Sequence, residues 1–188
     1  DAHARLGRIY AEGSKPGKAL VSYTQAIAAD GSRAEFYTER GLVALLLGRR
    51  DDGLDDLSQA LALDSGSTRA LKERARCLGI GGEQHRAILD LNALIRINPA
   101  DPEAYELRAI AYRTLHDHCS AVTDYGRSLQ LKPHQVHVLV SRGICHVALG
   151  DYGSGMADYR RALSIRDNAS AYYNLGLAHY ELGEYELA

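Results

Sequence analysis

The chain has 188 residues, 46% of them hydrophobic and 24% charged, enough apolar side chains for a real core and too structured a composition for disorder. Its formal net charge of −2 gives no general attraction to nucleic acid or to an anionic membrane. No apolar run approaches the ~20 residues of a membrane span, and no basic-then-apolar leader opens the chain; it starts at Asp1 rather than Met, so an excerpt of a longer protein is expected.

The first distinctive stretch, EGSKPGKA at 12–19, hints at a phosphate loop. Glu12 and Ala19 stand where such a loop has Gly and Ser/Thr, and the segment is predicted to be a turn between two helices. ERGLVALLLG follows at 39–48, and the chain writes nearly the same phrase again 34 residues later as ERARCLGIGG (73–82), then as LRAIAYRTLH (107–116) and SRGICHVALG (141–150).

With frames opening at Ala34, Thr68, Pro102 and Val136, the eighth slot holds Gly7, Gly41, Ala75, Ala109, Gly143 and Gly176. The twentieth holds Ala19, Gly53, Ala87, Ala121, Gly155 and Ala188. Small residues recurring at two slots predict that two helices touch there. The twenty-fourth slot is large throughout: Tyr23, Leu57, Leu91, Tyr125 and Tyr159. Apolar spacing within each copy is helical. Breakers fall between helices at Gly48, Gly81-Gly82, Gly150 and Gly183, and between copies at Asn98-Pro99 and Lys132-Pro133. Each copy therefore predicts a hairpin with about fourteen residues per helix.

This pattern resembles the tetratricopeptide repeat family, and AYYNLGLAHYELGEYELA (171–188) resembles it most. The family's Trp is absent from every copy. The resemblance implies an all-α fold, a superhelical array of antiparallel helix hairpins. Repeats are expected at 1–33, 34–67, 68–101, 102–135 and 136–168, with a partial sixth at 169–188, in a single array whose stack continues in further chain.

Arg40, Arg74, Arg108 and Arg142 share the seventh slot, where the family pattern prefers Leu. Asp56, Asp90, Asp124 and Asp158 share the twenty-third. The first copy has Leu6 and Ser22 and lacks both charges. Arginine and aspartate come and go together, which predicts four ion pairs, each inside one hairpin.

Candidate chemistry is sparse. His116-Asp117-His118-Cys119 offers metal-type ligands, but within one turn, where a structural zinc site needs four ligands and usually two segments. His146 and His179 share the eleventh slot with Tyr10 and Tyr112 and are expected to be packing residues. No catalytic residue, metal or cofactor is expected. Cys77, Cys119 and Cys145 make an odd count without a C-x-x-C, which predicts free thiols, a reducing compartment and a cytoplasmic location. The sequon at Asn168-Ala169-Ser170 carries little weight.

The resemblance further implies that slots two, five, nine and twelve of each first helix line a concave, peptide-binding groove. Those slots hold Glu35, Thr38, Leu42 and Leu45 in the second repeat, and Arg69, Lys72, Arg76 and Gly79 in the third. In repeats four to six they include Ile110, Arg113, Val140, Ile144, Val147, Tyr173, Leu177 and Tyr180. An apolar stripe beside three cations predicts a protein partner, a peptide or helical segment with apolar and acidic side chains. The family's carboxylate clamp for chaperone tails is not matched. Lys72 fits its first position, but Arg76, Leu107, His137 and Ser141 replace the others. The expected function is a non-enzymatic interaction scaffold or adaptor within a larger assembly. A co-chaperone that holds other proteins, or a regulatory module of an enzyme encoded elsewhere in the same protein, is the alternative. Nucleic-acid recognition is not expected, because regular polar code positions and a basic surface are lacking.

Overall fold

The structure, a computed structural model, describes residues 2–183. Among them it contains eleven helices and no strand: α1 (Ala2–Glu12), α2 (Pro16–Ala29), α3 (Ala34–Leu46), α4 (Arg50–Leu63), α5 (Thr68–Ile80), α6 (Gln84–Ile97), α7 (Pro102–Thr114), α8 (His118–Leu131), α9 (Val136–Ala148), α10 (Tyr152–Ile165) and α11 (Ala169–Glu181). Ala188, the last of the small slot-twenty residues, lies outside the described residues.

Two compact units divide the protein at Ile97 and Asn98, beside the Asn98-Pro99 breaker. In the first unit α1 pairs with α2, α3 with α4 and α5 with α6, while α2 packs on α3 and α4 on α5. In the second, α7 pairs with α8 and α9 with α10, while α8 packs on α9 and α10 on α11. Helices inside each unit thus bury one face within their hairpin and another against the neighbouring hairpin, as α2 on α3 and α8 on α9 do, which is how a repeat too small for its own core becomes stable.

The turn inside each hairpin is set by one backbone angle. The fifteenth slot has positive φ throughout: Ser14 (54°), Gly48 (75°), Gly82 (83°), His116 (60°), Gly150 (81°) and Gly183 (76°). From there the backbone reverses by a Schellman closure. Gly48 N–H donates to Leu45 O at 3.0 Å and Arg49 N–H to Ala44 O at 2.9 Å; Gly150 and Asp151 do the same to Val147 and His146, both at 2.9 Å. The second helix then starts on a side-chain cap where one is available. Asp117 accepts from Ser120 N at 3.1 Å and Asp151 from Ser154 N at 3.0 Å.

Small residues at slots eight and twenty let the paired helices cross closely. A Cβ on Gly41 would lie 3.0 Å from Gly53 O, and one on Gly155 would lie 2.9 Å from Gly143 O. The slot-twelve side chain fills the space left at slot twenty. Leu45 Cδ2 stands 2.6 Å from the Cβ position of Gly53, and Val147 Cγ2 stands 2.6 Å from that of Gly155. Behind this crossing, the slot-twenty-four residues Tyr23, Leu57, Leu91, Tyr125 and Tyr159 are all buried.

Glycine reaches the left-handed region freely, whereas a side chain there costs about 1–2 kcal/mol. Glycine's extra freedom in the unfolded state returns up to about 1 kcal/mol of that. His116→Gly is therefore expected to raise stability by about 0.5 kcal/mol, and Gly150→Ala to lower it by about 1 kcal/mol. Urea midpoints measure both; a lower midpoint for His116→Gly would show that the imidazole stabilises the turn.

Candidate functional site

Four bidentate ion pairs run through the hairpins. Arg40 donates Nε and Nη2 to Asp56 at 2.8 and 2.7 Å, Arg74 to Asp90 at 2.8 and 2.7 Å, Arg108 to Asp124 at 2.7 and 2.8 Å, and Arg142 to Asp158 at 2.8 and 2.6 Å. The four aspartates are buried. Their hydrogen bonds push Arg40, Arg74 and Arg108 above the usual arginine range, against the burial that opposes their charge. In the first unit the third guanidinium nitrogen reaches the preceding hairpin: Arg74 Nη1 donates to Ser58 Oγ at 3.2 Å and Arg40 Nη1 to Thr24 Oγ1 at 3.4 Å. Sequence reasoning missed this second partner, although a hydroxyl at slot twenty-five of the preceding repeat was there to see. Gly126 takes that slot before Arg142.

The groove residues of the first unit line two hollows. Arg69 lines a hollow of about 600 Å³ together with Arg5, Arg8, Arg33, Glu35 and Glu39. Leu42, Leu45 and Arg76 line another, of about 430 Å³, with Leu46, Cys77 and Ile80. Leu46 and Ile80 are 71% and 83% exposed; both sit at slot thirteen, outside the four slots expected to line the groove. Thr38 was expected to be open but is buried, and its hydroxyl donates to Ala34 O at 3.0 Å. Two cations of the three-cation stripe are ion-paired within the unit. Arg69 is paired with Glu39 (Nη2 to Oε2, 3.3 Å) and Arg76 with Glu73 (3.4 Å), so both cations meet a carboxylate of their own unit. Lys72 is half-buried.

In the second unit Val140 requires a correction. It is 6% exposed and belongs to the core formed with Ala109, Tyr125, Leu139 and Tyr159. The reason is position: α9 packs against α8, α10 and α11, so its slot-five side chain falls inside a helix interface. Ile144 and Val147 are partly buried against the same core. Ile110 remains 36% exposed, Leu177 43%, Tyr180 57% and Tyr173 71%. Arg113 is half-buried, and its Nε is sealed from solvent without a hydrogen-bond partner.

The polar residues that resembled ligands have structural work. Asp117 caps α8, and the hydrogen bonds from Ser120 hold its carboxyl below the usual range. His146 Nδ1 lies 3.5 Å from Asp151. Asn168 of the sequon caps α11, its Oδ1 accepting from Ala171 N at 2.9 Å. Among the described residues no group of three or more His, Cys, Asp or Glu is placed to hold a metal ion, and no helix is long and apolar enough to cross a membrane. All three cysteines are free. Cys119 is exposed, while burial pushes the Cys145 thiol up to about 11.

A family model described as tetratricopeptide repeat matches residues 4–68 and 40–102, and one described as TPR repeat matches residues 146–183. No match is found among curated protein sequences. Solved structures with a similar fold include MamA, with 21% identity over 85% of this chain and 94% of that one and a TM-score of 0.82. PilF of Pseudomonas aeruginosa is 20% identical over 99% of this chain and 85% of its own, at a TM-score of 0.81. YrrB, a TPR protein with an unusual peptide-binding site, is 16% identical over 92% and 89%, at 0.84. At these identities the likeness is one of fold.

The ion-pair geometry makes a quantitative expectation. Arg74→Leu leaves the Asp90 carboxylate buried without its cation and should cost about 3–5 kcal/mol. The double variant Arg74→Leu/Asp90→Leu removes both charges and should cost less than the sum of the single ones by about 2 kcal/mol. Additive losses in a urea double-mutant cycle would show that the pair contributes nothing as a pair.

Proposed function

Because the chain belongs to the tetratricopeptide repeat family, we propose that it is a non-enzymatic scaffold or adaptor. In this reading it holds a peptide or helical segment of a protein partner on the groove-lining faces of its first helices. The contact that carries the proposal is in the second unit, where slot nine of three first helices holds Ile110, Ile144 and Leu177, with Ile110 and Leu177 36% and 43% exposed. A helix face that stays apolar at the same open slot in successive repeats is a recognition surface rather than a solvated one. Tyr173, Val147 and Tyr180 flank that row, and Val140 supports it from within the core.

The polar chemistry of the protein supports a binding role over a catalytic one. Its buried carboxylates are neutralised by arginines, and Asp117 and Asp151 are engaged as helix caps. The first-unit residues Leu42, Leu45, Arg69, Lys72 and Arg76 extend the proposal, with pairing to Glu39 and Glu73 moderating the charge that Arg69 and Arg76 present. Free thiols, buried at Cys77 and Cys145 and exposed at Cys119, agree with a reducing, cytoplasmic setting.

Ile110→Asp with Leu177→Asp tests the proposal on side chains that are open to solvent. Helicity is expected to survive, and affinity for a partner identified by cross-linking and mass spectrometry is expected to fall at least about tenfold, or about 1.4 kcal/mol. Unchanged affinity in the folded double variant would place the partner on a different face.

A further inference from the structure

Glu106 and Ile110 stand one turn apart on the same face of α7, at slots five and nine. Ile110 opens the apolar row that continues through Ile144 and Leu177, and Glu106 is the carboxylate at the edge of that row. The Glu106 side chain is only 19% exposed, and it is met by a histidine from another hairpin: His137 Nε2 lies 3.0 Å from Glu106 Oε1. Elsewhere in the protein, carboxylates drawn this far out of water are met by arginines. Each of the four hairpin aspartates has one, Glu39 has Arg69, Glu73 has Arg76, and Glu83 has Arg50 and Arg86. The reason is electrostatic, since a carboxylate withdrawn from water is tolerated where a full positive charge meets it. An imidazole brings one N–H donor and, near neutral pH, at most part of a charge, whereas a guanidinium is always charged. Glu106 therefore has a hydrogen bond where the others have a counter-charge. The cation nearest to it along α7, Arg108, already grips Asp124 with two nitrogens. The histidine is open to replacement, its side chain being 66% exposed.

We propose that the apolar row of the second unit selects an amphipathic partner segment carrying a lysine, whose ammonium group pairs with Glu106 while its apolar side chains lie on Ile110, Ile144 and Leu177. The inference rests on the reading of this row as a partner-binding face and adds which partner the face selects. Lysine is favoured over arginine because His137 already takes Oε1. Glu106 then has one oxygen to offer, which suits the compact point charge of an ammonium, whereas a guanidinium fork is best matched by both oxygens together. The four-carbon stem of lysine also lies along apolar surface while its head reaches a polar group, and Ile110 provides that surface one turn from Glu106. A carboxylate at the edge of the row discriminates against acidic segments, whose charge it would repel, and so gives the face a choice of partner that apolar contacts alone do not make.

The test is an affinity selection of random twelve-residue peptides on the 188-residue chain, with acetylated and amidated ends so that no terminus supplies a charge. Peptides retained by the unaltered protein but lost on Ile110→Asp/Leu177→Asp are expected to share one lysine among apolar residues. Resynthesised with Lys→Met, they should bind about tenfold more weakly, and with Lys→Arg at an intermediate level. Glu106→Gln keeps the shape of the side chain and its bond to His137 while removing the charge. It should weaken the lysine peptides about tenfold and leave their Lys→Met versions unchanged, a coupling that a purely structural role for Glu106 would not produce. His137→Arg, which gives Glu106 a permanent cation, should weaken the lysine peptides likewise. Retained peptides without a common lysine, additive effects of Glu106→Gln and Lys→Met, or arginine binding as tightly as lysine would overturn the inference and leave the partner-binding reading standing. Peptides that bind Ile110→Asp/Leu177→Asp as well as the unaltered protein, or no retained peptide at all, would overturn both.

Discussion

A carboxylate buried between two helices has to be met by a cation, and that requirement sets the register of every complete hairpin from 34 to 168. Asp56, Asp90, Asp124 and Asp158 are at most 7% exposed, and each is gripped by two nitrogens of an arginine on the facing helix. A planar guanidinium matched to a planar carboxylate tolerates little sliding, so the pair fixes both the height and the rotation of one helix against the other. An apolar pair would stabilise as much with less directional demand. In the first unit Arg40 and Arg74 also reach Thr24 and Ser58, so the same side chain that locks a hairpin ties it to the one before.

Around this fixed register the remaining features follow from space. Glycine or alanine at slots eight and twenty brings the backbones close, and the close approach leaves a gap that a slot-twelve Leu or Val fills. A left-handed residue at slot fifteen then reverses the backbone in the fewest residues. These demands are local, so they can be met six times by different residues. Ser14 and His116 accept a backbone angle that glycine takes elsewhere, and histidine is among the residues that enter that region most readily.

What a partner can reach is decided by which slots the next hairpin covers. Slot five is closed at Thr38 and Val140, since a neighbouring helix lies over it, while slot nine stays partly or fully open at Leu42, Ile110, Ile144 and Leu177. In the first unit, charges near the open slots are balanced by Glu39 and Glu73, whereas Arg113 in the second unit keeps an unmet hydrogen-bonding capacity in an apolar setting. The two units thus offer different chemistry from one template. The first presents charge paired on its own surface, and the second presents apolar side chains.

The 34-residue period, the small residues at two slots and the joint presence of arginine and aspartate were enough, in the sequence, to specify a helical repeat, its hairpin boundaries and the internal direction of the ion pairs. Those features are periodic, and every copy repeats the information. Exposure is not carried by period. Val140 and Ile144 occupy groove slots four residues apart on one helix, yet one is core and the other partly open, because burial depends on where α11 crosses α9. The pairing of Arg69 with Glu39, the third contact of Arg74 and the unmet Nε of Arg113 are likewise distances between side chains of different helices. They are set by how long side chains settle after the helices have packed, a step that spacing along the sequence does not encode.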